Sequence, residues 1–216
     1  MIRVHQVSKS FADVHALVDV SFEIGDGESL GIVGPSGSGK TTLLRIIAGL
    51  EVPDSGAVSI DSEEASSPER IVAPSRRNIG FVFQRPALWP HMTVAQNILF
   101  PIGHLPRREA TRRVAELLKE THLVGLERRR PDELSAGQAR RVALARALVA
   151  HPKYLLMDEP LTNLDPEQKI RMLQLIRSFV TKTGASLVYV THDQTEAGEL
   201  SHRVIRLVNG RVEPYP

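Results

Sequence analysis

The sequence predicts an α/β fold, with a mixed or parallel central sheet, an N-terminal antiparallel β subdomain and an inserted α-helical subdomain. Three observations predict it. First, the apolar run Ser29 to Val33 enters the glycine-rich Gly34-Pro35-Ser36-Gly37-Ser38-Gly39-Lys40-Thr41. Apolar residues then follow at helical spacing, at Leu43, Leu44, Ile46, Ile47 and Leu50. Second, the apolar runs Tyr154 to Met157 and Ser186 to Val190 end in Asp158-Glu159 and Thr191-His192-Asp193, so two buried strands carry polar groups at one end. Third, the stretch around 86–151 is patterned for helices and interrupts an otherwise β/α alternation.

The elements follow in order. Ile2 to Val7 and Val18 to Ile24 alternate apolar and polar residues and read as two strands around a connecting stretch that contains Phe11. Phe11 is either an ordinary core ring or one that stacks on a base. Gly34 to Thr41 fits G-x-x-x-x-G-K-[ST] at each fixed position. Glycines there let successive N–H groups converge on one anion, and the next helix aims its positive end at the same charge. Lys40 is expected to reach the β- and γ-phosphates of a nucleotide, and the Thr41 hydroxyl to bind Mg²⁺. Pro53-Asp54-Ser55-Gly56 is a turn and Ala57 to Ile60 a strand, whereas Asp61 to Ser75, rich in Ser, Glu and Pro, reads as a surface loop. Asn78 to Phe83 is a further strand. It ends at Gln84, either a polar boundary residue or a ligand-sensing side chain.

Arg85 to Pro90, RPALWP, is a loop with two prolines and the one tryptophan of the chain. Leu88 and Trp89 either pack inward or form a surface anchor, the second being favoured because loops run over surfaces. Thr93 is positioned to cap a helix running through Ile98. Pro106 to His122 shows one apolar face and many arginines, read as a solvated face in preference to a basic patch. Leu134-Ser135-Ala136-Gly137-Gln138 precedes a helix that runs to Ala150. Ser135 stands at the N-cap, where the free N–H groups either simply end a helix or hold an anion. Asp158 is the expected partner of Mg²⁺, and the adjacent Glu159 can polarise water. Pro166 opens a helix to about Thr183, another covers Gln194 to Leu200, and two short strands, Arg203 to Leu207 and Arg211 to Glu213, close the chain.

A chain of 216 residues with 42% hydrophobic content can bury a core as one large domain. It contains no apolar run of about 18 residues and no apolar leader core near its start, so neither a membrane span nor a signal peptide is expected. Absence of cysteine excludes disulfides. A net charge of +2 gives no reason to expect a nucleic-acid partner.

Together these motifs, in this order, resemble the ATP-binding-cassette (ABC) ATPases, the nucleotide-binding subunits of ABC transporters, over nearly the whole chain. Gly34 to Thr41 is similar to the Walker A loop, Gln84 to the Q-loop glutamine and Leu134 to Gln138 to the signature motif. Leu155 to Glu159 resembles Walker B with its glutamate, Leu161 to Asp165 the D-loop, and His192 the switch histidine. Phe11 falls where the family places an adenine-stacking aromatic, usually Tyr. The signature carries Ala136 where Gly is commonest, a cost of order 1 kcal/mol if φ there is positive and a slight gain if the residue is helical.

The resemblance implies a P-loop NTPase, a single domain over 1–216, with 1–85 and 152–216 as nucleotide-binding core and about 86–151 as helical subdomain. It implies ATP and Mg²⁺ as ligands and a head-to-tail pair of cassettes, a homodimer. Glu159, His192, Gln84 and Lys40 would serve hydrolysis, and Thr41, Gln84 and Asp158 the metal. Phe11, Gly34, Ser36, Gly37, Ser38, Gly39, Lys40, Thr41 and Thr42 would hold the nucleotide, with Ser135, Gly137 and Gln138 reaching it from the second subunit. Further implied partners are transmembrane permease subunits, docking near Leu88 and Trp89, and, for import, a substrate-binding protein. The implied location is cytoplasmic, on the inner face of the membrane. FVFQRPALWPHMTVAQNI and THDQTEA are similar to bacterial importers of the maltose, polyamine and inorganic-ion group. Members of that group often carry a C-terminal regulatory domain, which a chain ending at Pro216 is expected to lack. An exporter or lipid-transport ATPase is the alternative, and a non-transport cassette is disfavoured because no sustained heptads occur.

Overall fold

The computed structural model describes residues 1–162 and 164–213. Strands β1 (Ile2–Phe11) and β2 (Val14–Ile24) continue through the stretch expected to connect them, and Phe11 pairs directly with Val14. Register shifts between Val4 and Val7 and between Val7 and Lys9, with Gln6 at φ 49°, break the two-residue alternation. That bulging hid the second half of β1 from a pattern that assumes regular pleating. β4 (Ser55–Ile60) lies on the other side of β1. Part of the expected loop after it is in fact β5 (Glu63–Ser66), antiparallel to β4. Its turn is Asp61-Ser62, both at positive φ, and Ile60 pairs with Glu63 across it. Two-residue hairpins of this kind usually announce themselves by Asn-Gly or Asp-Gly, and this one has no glycine. The four strands form a sheet in the order β2-β1-β4-β5.

The second sheet joins β3 (Ser29–Val33), β6 (Ile79–Val82), β7 (Tyr154–Asp158), β8 (Ser186–Thr191), β9 (Arg203–Val208) and β10 (Arg211–Glu213) in the order β10-β9-β3-β8-β7-β6. The links from β9 to β6 are parallel, and β10 closes the edge antiparallel through the turn Asn209-Gly210, both at positive φ. β3, β7 and β8 are buried along their whole length, which is why they read as continuous apolar runs. Their alternate side chains feed two cores. Tyr154, Leu156, Val188 and Val190 pack with α1 (Lys40–Ala48) and the antiparallel sheet. Leu155, Met157, Leu187 and Tyr189 pack with α2 (Val94–Leu99), α3 (Arg107–Glu120), α4 (Ala136–Leu148) and α5 (Pro166–Thr183). The short α6 (Gln194–Leu200) follows β8.

Thr93 and Ser135 each close a capping box, with Gln96 and Gln138. On α3, Arg112 pairs with Glu116 and Arg113 with Glu109, one turn apart. Half of the arginine charge there is therefore met within the helix, in keeping with a solvated face.

Candidate functional site

Parallel registry brings three strand ends together. Val33 of β3 lies opposite Thr191 of β8, and Asp158 of β7 opposite Val190. The phosphate loop, the acidic pair and His192 therefore leave the sheet at the same carboxyl edge.

The loop is held by close backbone approaches. A Cβ on Gly39, at φ 100°, would lie 2.2 Å from the Ala16 carbonyl oxygen, and one on Gly34 would lie 2.1 Å from that of Leu207. Glycine is needed at both places because backbone occupies the side chain's room. Lys40 begins α1 and turns its buried ammonium back over the loop, donating to the carbonyls of Gly34 (2.8 Å) and Pro35 (2.7 Å). Burial pushes its pKa down, and the carboxylates of Glu159 and Asp158 work against that shift. The cation thus stands at the centre of the loop beside a helix N-terminus, a setting that favours phosphate. Ser36 and Gly37 are exposed at the loop tip, Ser38 is buried, and Thr42 is half-buried in the first turn of α1.

Thr41 Oγ1 donates to Asp158 Oδ1 at 3.1 Å. Asp158 is 3% exposed, and burial, with the neighbouring Glu159 charge, raises its pKa against the opposing effects of Thr41 and Lys40. A carboxylate held in the charged form at such a place gains from a cation. One hydroxyl and one carboxylate, both hard oxygens, suit Mg²⁺, an ion that binds through few protein oxygens together with substrate phosphates. The residues present fit that ion.

Glu159 sits at φ 45°, in the left-handed region that a residue with a side chain enters at a cost. Its N–H donates to the Val190 carbonyl (2.9 Å), which fixes the turn. Three side chains meet its Oε2 at 3.3 Å each: Gln84 Nε2, Thr162 Oγ1 and His192 Nδ1. Gln84, two residues beyond β6, and His192 are exposed, whereas Glu159 is mostly covered. A carboxylate with a Gln amide and an imidazole around it can orient water and accept a proton. Thr162 escaped the sequence reading because an isolated hydroxyl in a polar loop carries no pattern. Of the stretch Leu161–Asp165, Asn163 lies outside the described residues.

The remaining sequence candidates are not gathered at this edge by side-chain bonds. Phe11 ends β1 and is 46% exposed, and Lys9 lies over its ring, 5.2 Å from the centroid. Ser135 is exposed at the start of α4, its hydroxyl accepting from Gln138 N–H (3.2 Å) while Gln138 Oε1 accepts from Ser135 N–H (2.9 Å). The Gln138 oxygen is therefore engaged in closing the helix. Ala136 is the first residue of α4 and is absent from the positive-φ residues, so of the two expectations for it the helical one holds. A Cβ on Gly137 would lie 2.3 Å from Gln168 Oε1 on α5.

Two arginines of α4 tie this helix to the site's supporting loops. Arg140 donates to the Pro160 carbonyl (3.1 Å), and Arg146 to those of Pro86 (3.0 Å) and Ala87 (2.8 Å). No sequence spacing reports such contacts. Beside the loop that carries Leu88 and Trp89 lies a groove of about 990 Å³, lined by Phe81, Phe83, Leu88, Trp89, Phe100 and Pro101 among others. Trp89 is 44% exposed and tilts against Phe100 (5.6 Å between centroids), while Leu88 packs on the helical core.

Residues 17–162 match the family described as ABC transporter. The chain is 48% identical to the sulfate/thiosulfate import ATP-binding protein CysA 1 of Agrobacterium fabrum, over 98% of this chain and 62% of that protein. It is 47% identical to the protein of the same description from Mesorhizobium japonicum, with the same coverage, and 45% identical to that of Vibrio cholerae, over 98% of this chain and 57% of that protein. The chain thus spans about three fifths of the length of these relatives. Among solved structures it is similar to a dimeric ATP-binding cassette in a post-hydrolysis state bound to ADP and Pi, with TM-score 0.90 and 34% identity. That alignment covers 99% of this chain and 97% of the other.

Proposed function

The chain belongs to the ABC transporter family, and on that premise we propose that it binds and hydrolyses ATP to power a bacterial importer. The observation that carries the reading is the convergence of Lys40, Thr41, Asp158, Gln84, Glu159 and His192 on one sheet edge. Lys40 leaves its loop carbonyls for the β- and γ-phosphates, and the loop amides between Gly34 and Thr41 surround the β-phosphate. Phe11 stacks on the base through the ring face not taken by Lys9. Thr41, Asp158 and the Gln84 amide oxygen hold Mg²⁺, which when bound offsets negative charge on the phosphate oxygens. Glu159 orients the attacking water and takes its proton, and His192 keeps water and γ-phosphate in line. The new bond is water oxygen to Pγ, and the bond broken joins Pγ to the ADP oxygen.

The solved cassettes similar to this chain are dimers. In the corresponding homodimer Ser135, Gly137 and Gln138 of one subunit complete the site of the other. The helical region 86–151 then acts as a unit that carries the signature toward the partner and the groove at Trp89 toward permease subunits. No helix among the described residues is long and apolar enough to cross a membrane. In this reading permease subunits supply the path, and the cassette is peripheral on the inner face. The solute is an oxyanion such as sulfate or thiosulfate, which the named relatives import, delivered by a substrate-binding protein.

Glu159→Gln tests the reading. Turnover is expected to fall roughly 10²-fold or more while ATP still binds. Sedimentation of this variant is expected to show a dimer with ATP and mostly monomer without. Wild-type turnover, or equal dimer in both conditions, would overturn the assigned role and the sandwich respectively.

A further inference from the structure

His192 stands between two residues that are both tied down, while its own ring has a single contact. The ring side chain is 59% exposed and meets only Glu159 among the described hydrogen bonds. Thr191 before it is 2% exposed. Its hydroxyl donates to Glu196 Oε2 (2.7 Å) and accepts the Asp193 N–H (3.0 Å). Asp193 after it caps α6, its Oδ1 accepting from the N–H groups of Thr195 (2.9 Å) and Glu196 (3.3 Å). Its other oxygen takes the Lys169 ammonium at 2.6 Å. That same ammonium lies 2.6 Å from Glu196 Oε1, and Tyr189 donates to Glu196 Oε2 at 2.8 Å.

A carboxylate as buried as Glu196, 5% exposed, is costly unless every oxygen is met, and here two hydroxyls and one cation meet them. Stability alone would not require both flanks of one exposed histidine to converge on a single cation. α6 has seven residues, too few to fix its own start without tertiary support. Lys169 comes from the first turn of α5, which begins directly after the loop that follows Glu159. One side chain therefore fastens the helix that follows Glu159 to the backbone that presents His192.

We propose that Lys169, acting through Glu196 and Asp193, is a positioning residue that sets the His192 imidazole against Glu159 and the γ-phosphate. The proposal rests on the assignment of His192 to the γ-phosphate made above. The Lys169–Asp193 and Lys169–Glu196 pairs are partly shielded from solvent, so they hold their geometry at ordinary salt better than exposed pairs do. The backbone at 192 is then rigid and only the ring rotates, which suits a group that must meet a water and a phosphate in one alignment.

The test uses Lys169→Met, which keeps the stem and removes the charge, and Lys169→Arg. In Lys169→Met the kcat for ATP is expected to fall about 10- to 100-fold, with KM within about twofold. Lys169→Arg should recover most of the loss. In a His192→Ala background Lys169→Met should cost nothing further, because its effect passes through that ring. Imidazole ¹H–¹⁵N spectra without nucleotide give an independent reading: the His192 cross-peaks, assigned from their loss in His192→Ala, should shift or split in Lys169→Met while the other histidines stay in place. Additive losses, or unmoved His192 peaks, or unchanged turnover would each overturn the proposal and leave Lys169 a stabilising residue only. The spectrum decides where His192→Ala has no measurable turnover. A wild-type chain without ATPase activity would instead sink the functional reading, and the spectrum would still report whether Lys169 positions the ring.

Discussion

Asp158 shows at the scale of one residue how a site can be bought with stability. Its carboxylate is buried, accepts from Thr41 and feels the charge of Glu159, with its pKa raised by burial first and Glu159 second. A raised folded-state pKa means the folded chain holds the proton more tightly than the unfolded one. At neutral pH, where the group is ionised, the charge costs stability, and that cost vanishes as pH falls through the folded pKa. Asp158→Asn, of nearly the same shape, is therefore expected to melt at or above the wild-type temperature at neutral pH in the absence of Mg²⁺ and nucleotide. The difference should shrink as the solution is acidified. The same variant should weaken Mg²⁺-dependent ATP binding by roughly 10- to 100-fold or more, the scale on which carboxylates supporting a metal site act. Calorimetric melts across pH, with and without Mg-ATP, check both halves. A variant that melts well below wild type near neutrality would show that Asp158 is held by partners stronger than its burial.

At the scale of the element, the phosphate loop with its flanking β3 and α1 was legible, because a fixed spacing there reports backbone geometry and chemistry at once, although α1 ends at Ala48 and leaves Leu50, expected on its apolar face, exposed beyond the Gly49 cap. The strand ends that present Asp158 and His192 were legible for a similar reason: apolar runs stop where polar groups begin. β5 was not, since Glu63-Glu64-Ala65-Ser66 has polar composition and is a strand only because β4 offers it a free edge. Nor was the network of Arg77, a buried guanidinium far along the chain from the end of α1 that it serves. It donates to the carbonyls of Ile47 (2.8 Å), Ile46 (3.4 Å), Ala65 (2.5 Å) and Val72 (2.8 Å). It thereby closes the C-terminus of α1 and fastens the antiparallel sheet and the following loop to it. Gly49, at φ 76°, leaves the room, since a Cβ there would lie 2.5 Å from the guanidinium. Burial pushes the Arg77 pKa down to about 10, so the cation itself is costly. Arg77→Met relieves that cost but strips partners from several carbonyls at about 1–3 kcal/mol apiece. The carbonyls outweigh the relief, and a net loss of about 2–3 kcal/mol is expected. Denaturant unfolding measures it, and a neutral result would mean that water replaces the guanidinium.

For the whole molecule the question is how, in the proposed importer, an event at the sheet edge would reach a permease. Gln84 contacts Glu159, and the loop after it leads straight to Trp89. The loop is not slack. Asn97, fully buried on α2, accepts the Trp89 N–H (2.9 Å) and donates to the carbonyls of Trp89, Met92 and Thr93, and Arg146 grips Pro86 and Ala87 from α4. Backbone fixed at both ends and joined to α4 would, in the proposed function, transmit a displacement of Gln84 as a movement of the helical region, where a mobile loop would absorb it. The Trp89 ring takes no part in that bracing. It stays 44% exposed beside Phe100, which is 55% exposed, at the rim of an apolar groove. Trp with a second aromatic beside it in a groove is the composition of an interface anchor. Trp89→Ala should therefore cost the isolated chain little, within about 1 kcal/mol as for other exposed positions, and leave soluble ATPase activity close to wild type. Co-purification with the permease and solute uptake in reconstituted vesicles should both fall, by the 10-fold or more that loss of a hot-spot aromatic of about 2 kcal/mol implies. Uptake that survives the substitution would place the permease contact elsewhere. Collapse of soluble ATPase together with a lowered melting temperature would show that Trp89 belongs to the core and that coupling runs through Asn97 and Arg146 without it.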